Sequence, residues 1–83
     1  MINLGAETKL SPDEVLSRAS QFFGPTGVGL AERRDSDGCL TFIGGGGHVS
    51  VTVSRPAAGG MTDVAVQAQE WERDATRFLA KLS

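Results

Sequence analysis

The chain has one cysteine, one histidine, no tyrosine and no block of like charges, and each scarcity removes a class of function. With Cys39 alone, neither an intramolecular disulfide nor a zinc site built on cysteine pairs is available. That pattern suits a reducing compartment. With His48 alone and the carboxylates scattered, no metal-ligand spacing exists, so neither a metal nor another cofactor is expected. The formal net charge is −2, and the nearest approach to a basic patch is Arg33, Arg34 and Arg55, diluted by Glu32, Asp35 and Asp37. Nucleic-acid binding needs clustered cations to displace counterions from phosphates, so no nucleic-acid partner is expected. No apolar run approaches the roughly 20 residues of a spanning helix. Met1 to Leu10 lacks the basic start and apolar stretch of a signal peptide. The expectation is a cytoplasmic protein with no membrane partner.

What is present fits one small domain, 1–83. A chain this short buries a modest share of its surface, and a deep cavity would compete with the core for the same apolar side chains. Residues 2–10 alternate, with Ile2, Leu4, Ala6 and Leu10 on one side and Asn3, Gly5, Glu7 and Lys9 on the other. Period two predicts a half-buried strand. Ser11-Pro12-Asp13-Glu14 is a helix start: an N-cap serine, a proline at the first helical position, and a glutamate placed for a capping box. Val15, Leu16, Ala19, Phe22 and Phe23 then follow helical spacing, and Gly24-Pro25 ends the helix.

From 28 to 68 the spacing predicts a four-strand antiparallel meander with strands near 28–34, 39–43, 48–54 and 61–68. The turns are Asp35 to Gly38, Gly44 to Gly47, and Arg55 to Gly60 with Pro56. Folding the first turn about Ser36 sets Leu30 opposite Phe42 and Glu32 opposite Leu40. The glycine turn sets Phe42 opposite Val49 and Leu40 opposite Val51, and the third sets Val51 opposite Val64 and Val49 opposite Val66. All three agree on one inner face: Val28, Leu30, Leu40, Phe42, Val49, Val51, Val53, Val64 and Val66. From near Gln69 a final helix carries Trp71, Ala75, Phe78, Leu79 and Leu82 at helical spacing. The fold class is therefore α+β, β-α-β-β-β-β-α, with about five antiparallel strands and two helices on one face.

The strand leading into Ser11-Pro12-Asp13-Glu14-Val15, and the last strand and helix from Met61 to Leu82 with Trp71 and Phe78-Leu79, resemble the helix-grip (START-like, SRPBCC) superfamily in miniature. The resemblance covers about half the chain and its motifs are structural. It implies a ligand held between the sheet and the C-terminal helix, and no catalytic residues carry over. A half-unit of the TATA-binding-protein-like fold is a second topological analogue.

His48, Ser50 and Asp63 share the outer face, but the predicted register puts Asp63 opposite Thr52, four residues from His48, or about 13 Å. That is too far for a triad. Gly44 to Gly47 joins strand to strand with no lysine nearby, which reads as a flexible hairpin turn rather than a phosphate loop. Cys39 lacks a neighbouring base and reads as a small half-buried thiol. No catalytic residue is assigned. The leading expectation is a non-enzymatic binding module that holds a small apolar ligand or a protein partner. Trp71, Phe78, Phe22, Phe42 and Val51 would line its site. The alternative is a homodimerising structural or regulatory domain using Thr41, Ile43, His48, Ser50 and Thr52 on the outer sheet face. An enzyme using His48 is a third reading.

Overall fold

A computed structural model describes residues 2–36, 38–55 and 60–82, the side chains of Asp35 and Ser36 excepted. The elements run β1 (Ile2–Thr8), α1 (Pro12–Phe23), β2 (Ala31–Ser36), β3 (Cys39–Gly44), β4 (Gly47–Ser54), β5 (Thr62–Gln69) and α2 (Glu72–Ala80). The strands form one sheet in the order β1-β5-β4-β3-β2, antiparallel throughout. The α+β class, the five strands and the two helices on one face are as the pattern predicts. What the pattern left open is that β1 closes beside β5, the strand furthest from it in sequence. The two helices lie on the inner face, α1 over β3 and β4, α2 over β5 and β1.

The helix starts where read, with the Ser11 side chain making its half of the capping box. Pro12 takes the first turn, and Ser11 Oγ accepts the Glu14 amide at 3.2 Å. The Glu14 carboxylate accepts from Arg18 Nε at 3.2 Å, one turn on. Gly24 then ends α1, and the segment after it turns back, Gly27 and Gly29 donating to the Gly24 carbonyl, Val28 to the Phe22 carbonyl and Leu30 to the Phe23 carbonyl, each at 2.9 Å. Those bonds explain a correction: Val28 and Leu30 cap the helix rather than pair in a strand, so β2 begins at Ala31. Leu30 is still buried, and Val28 packs against the core.

The β3–β4 register is the predicted one, Leu40 opposite Val51 and Phe42 opposite Val49. The two outer registers are displaced by two residues. Val51 faces Val66 rather than Val64, because Ser54 pairs with Asp63 and the loop between is longer than a symmetrical fold about the turn. Glu32, not Leu30, faces Phe42, and a bulge between Arg34 and Ser36 absorbs the mismatch at the first turn. A shift of two leaves every side chain on its own face, which is why the inner face survives both errors. Asp37 and Pro56, named for the two turns, lie outside the described residues. The last helix also starts later than its apolar stripe suggests. Gln69 still pairs with His48 in β5, Glu70 takes a left-handed φ of 74°, and only then does α2 begin at Glu72.

The core joins Val15, Leu16, Ala19 and Phe23 of α1 to the inner face of the sheet and to Ala75 and Phe78 of α2. At its centre the Phe23 ring lies 5.4 Å from Phe42, 5.2 Å from Phe78 and 4.9 Å from Phe22. These separations are those of favourable tilted and edge-on ring pairs. Two buried threonines tie the ends of the chain to it. Thr8 Oγ1 donates to the Leu82 carbonyl at 2.8 Å, and Thr62 Oγ1 donates to the Leu10 carbonyl at 2.6 Å. Thr62→Val keeps the shape but deprives the Leu10 carbonyl of this donor, so it should cost about 1–2 kcal/mol. Urea denaturation will read this as a lower midpoint at unchanged slope.

Candidate functional site

The helices occupy one face of the sheet and leave the other open. Along β5 the alternation is complete: Thr62, Val64, Val66 and Ala68 are buried beneath the helices, and Asp63, Ala65, Gln67 and Gln69 are exposed. Reading partners across the strands sorts the outer face into rows. Nearest the glycine turn lies Ala31–Ile43–His48–Gln69, followed by Arg33–Thr41–Ser50–Gln67–Asn3. Next come Cys39–Thr52–Ala65–Gly5 and then Ser54–Asp63–Glu7. The two middle rows are built of hydroxyls, two side-chain amides and small residues, with Arg33 at the β2 edge. Basic residues lie toward the glycine turn and acidic ones at the far end.

Short polar contacts order that middle. Thr41 Oγ1 and Ser50 Oγ lie 3.2 Å apart, and Thr52 Oγ1 donates to Cys39 Sγ at 3.6 Å. Thr41 is only 6 % exposed although no helix covers it. Beside it Ile43 is 43 % exposed, the exposed large hydrophobic among the described residues. At this end an open depression of about 480 Å³ is lined by Arg33, Thr41, Ile43, His48, Ser50 and Gln69. The interface residues named from sequence, Thr41, Ile43, His48, Ser50 and Thr52, thus sit on two adjacent strands of one face.

The same rows separate the residues that suggested catalysis. His48 faces Gln69, and Asp63 lies six residues back along β5, which is about 20 Å and further than the predicted register implied. Cys39 faces Thr52, four residues from His48 along β4. No group of three or more His, Cys, Asp or Glu is placed to hold a metal among the described residues.

The residues expected around a ligand divide into three places. Phe42 and Val51 have no exposed surface and Phe78 has 2 %, so all three are packed core. Phe22 and Phe78, with ring centroids 5.7 Å apart, border a surface groove of about 240 Å³ between the helices, flanked by Arg18 and Lys81. Lys81 Nζ stands 5.2 Å from the Phe22 ring. Trp71 is elsewhere. Its Nε1 donates to the Gly44 carbonyl at 2.9 Å, and its ring lies against Gly45, where an added Cβ would come within 2.6 Å of Cζ2. The turn is the hairpin between β3 and β4, and the indole at the entry to α2 holds it down.

Gln69, Asn3, Gly5 and Glu7 belong to the outer face and were not among the expected site residues. The outward positions of β1 were legible from their alternation, but nothing local says which strand β1 joins. The chain matches no protein-family model, no curated protein and no solved structure. No helix among the described residues is long and apolar enough to cross a membrane.

Proposed function

We propose that this domain is a self-associating structural module in which a second copy packs on the outer sheet face. The observation that carries the reading is a sheet face with no helix over it, its centre held by short polar contacts, on the side away from the buried core. Five strands at roughly 4.8 Å and about seven residues at roughly 3.4 Å span about 570 Å². Counted on both copies this is about 1,150 Å², above the roughly 1,000 Å² of a specific interface. Ser, Thr and Ala lose little side-chain freedom when covered.

The charge pattern favours a second copy over an unrelated partner. Arg33 and His48 lie toward one end of the face, and Asp63 and Glu7 lie at the other. A two-fold axis running across the strands lays the His48 end of β4 in one copy over the Asp63 end of the neighbouring β5 in the other, with the strands aligned. A ligand between the sheet and α2 has less support, since Phe42, Val51 and Phe78, three of the residues that would line its site, are buried in the core.

Native mass spectrometry of the wild type should give an even multiple of 8.7 kDa. Thr41→Lys plants a charge in the middle of the face and should halve that mass, weakening the contact at least tenfold. Thr52→Lys, at a position exposed in the single copy, should do the same while leaving the circular dichroism spectrum unchanged. An assembly that keeps its mass in both folded variants would rule out the outer face.

A further inference from the structure

The two edges of the sheet are built differently. At the β2 edge, Glu32, Arg33 and Arg34 are exposed in succession, and the strand bulges between Arg34 and Ser36. Consecutive charges and a bulge are the means by which sheets refuse another strand. The β1 edge has neither. Its seven residues pair with β5 without a register shift, and Glu7 is the only charge among them. Its free side pairs with no strand of this sheet, which leaves a row of backbone donors and acceptors facing outward. The inner positions Ile2, Leu4 and Ala6 are only half-buried, whereas the matching positions of β5 are buried. A neighbouring strand would complete their burial.

We propose that β1 pairs antiparallel with β1 of a second copy, across a two-fold axis normal to the sheet and centred on Gly5. The strand is self-complementary in that register. Gly5 lies opposite Gly5, Leu4 opposite Ala6, Asn3 opposite Glu7 and Ile2 opposite Thr8. All seven residues pair, apolar positions stay on the helix side, and Glu7 meets an amide rather than another Glu7. The two five-stranded sheets become one of ten, with both copies' helices on the same face. Growth stops there, because the outer edges are then both β2, and the isologous contact closes the assembly. This contact uses a strand edge and does not depend on the outer-face contact.

Disulfide trapping tests it. In a Cys39→Ser background, Gly5→Cys adds a Cβ whose nearest neighbour is the Val64 carbonyl oxygen at 3.8 Å, so the strand accommodates it. Directly opposed residues have Cα atoms about 4.5–5.5 Å apart, within the roughly 4.4–6.8 Å that a disulfide spans. Mild oxidation should convert most Gly5→Cys chains to a covalent dimer, and should still do so when Thr41→Lys is added to break the outer-face contact. Glu7→Cys chains alone should stay monomeric on a non-reducing gel, since two such residues are four positions out of register. Mixing Asn3→Cys chains with Glu7→Cys chains should give a cross-linked pair that neither gives alone, which covers the case of a Gly5→Cys chain that fails to fold. The edge contact is overturned if folded Gly5→Cys chains with Thr41→Lys cross-link no more than Glu7→Cys chains, or if the mixture cross-links no more than its components.

Discussion

Phe23→Ala is expected to cost about 3–5 kcal/mol and to lower the melting temperature by roughly 12–40 °C. Phe23 is fully buried and is the ring that Phe22, Phe42 and Phe78 all touch. It therefore joins α1, the sheet and α2 at one point. Removing it leaves a void lined by three rings on three elements, and elements already paired by backbone hydrogen bonds relax little into such a space. A domain of this length holds about 4–12 kcal/mol in total, so the loss takes a large part of it. Phe22→Ala is the control, because Phe22 is only partly buried at the surface of the same cluster and should cost about half as much. Thermal unfolding followed by the fluorescence of Trp71, the single tryptophan, distinguishes them. Equal losses from the two variants would mean that the rings do not share a common centre.

The inner face was legible because its signal is redundant. Val49, Val51, Val53, Val64 and Val66 alternate over two strands, and any register that keeps them together differs from the true one by an even number of residues. Both misplaced registers were wrong by two, the smallest error that parity allows. Helix α1 was legible because Ser11, Pro12 and Gly24 are local signals with local causes. The failures fell where distant residues decide. Val28 and Leu30 look like strand, but the open carbonyls at the end of α1 claim their amides. Gln69 looks like the start of a helix, but His48 on β4 holds it in the sheet. Of the outer face, the residues were readable and their rows were not, since the rows inherit both register errors. The ligand residues failed to gather at one place because helical spacing marks a buried stripe without saying what the stripe touches. Trp71 stands at the N-cap of α2 and points to the glycine turn, while Phe78 points to Phe23.

The glycine turn offers the sharpest test of what tertiary contact adds. Judged by backbone alone, Gly45 and Gly46 are the positions of this turn that need glycine, with φ of +59° and +80°, and of the two Gly46 lies clear of the Trp71 ring. Yet an added Cβ there meets nothing within 4 Å, so Gly46→Ala should cost roughly 1 kcal/mol of left-handed strain, partly offset by the stiffer unfolded chain. Gly47 is absent from the left-handed set, but a Cβ there would fall on the Gln69 carbonyl oxygen and within 2.7 Å of Glu70 Cβ. Carbon atoms pack comfortably at about 3.5–4.0 Å, so something must move by close to an ångström. Neither side gives easily. Gln69 is paired with His48, the Glu70 amide donates to Glu72 Oε2 at 3.0 Å, and Trp71 is bonded to Gly44. Gly47→Ala should therefore cost about 3 kcal/mol, the upper end of what overpacking does, and should loosen Trp71 from the turn. Chemical denaturation of the two variants, with the Trp71 emission maximum as a local reporter, decides between the explanations. If Gly46→Ala proves the more damaging, the turn is glycine-rich for its own backbone. If Gly47→Ala does, the glycines are there because the β5–α2 junction lies against them.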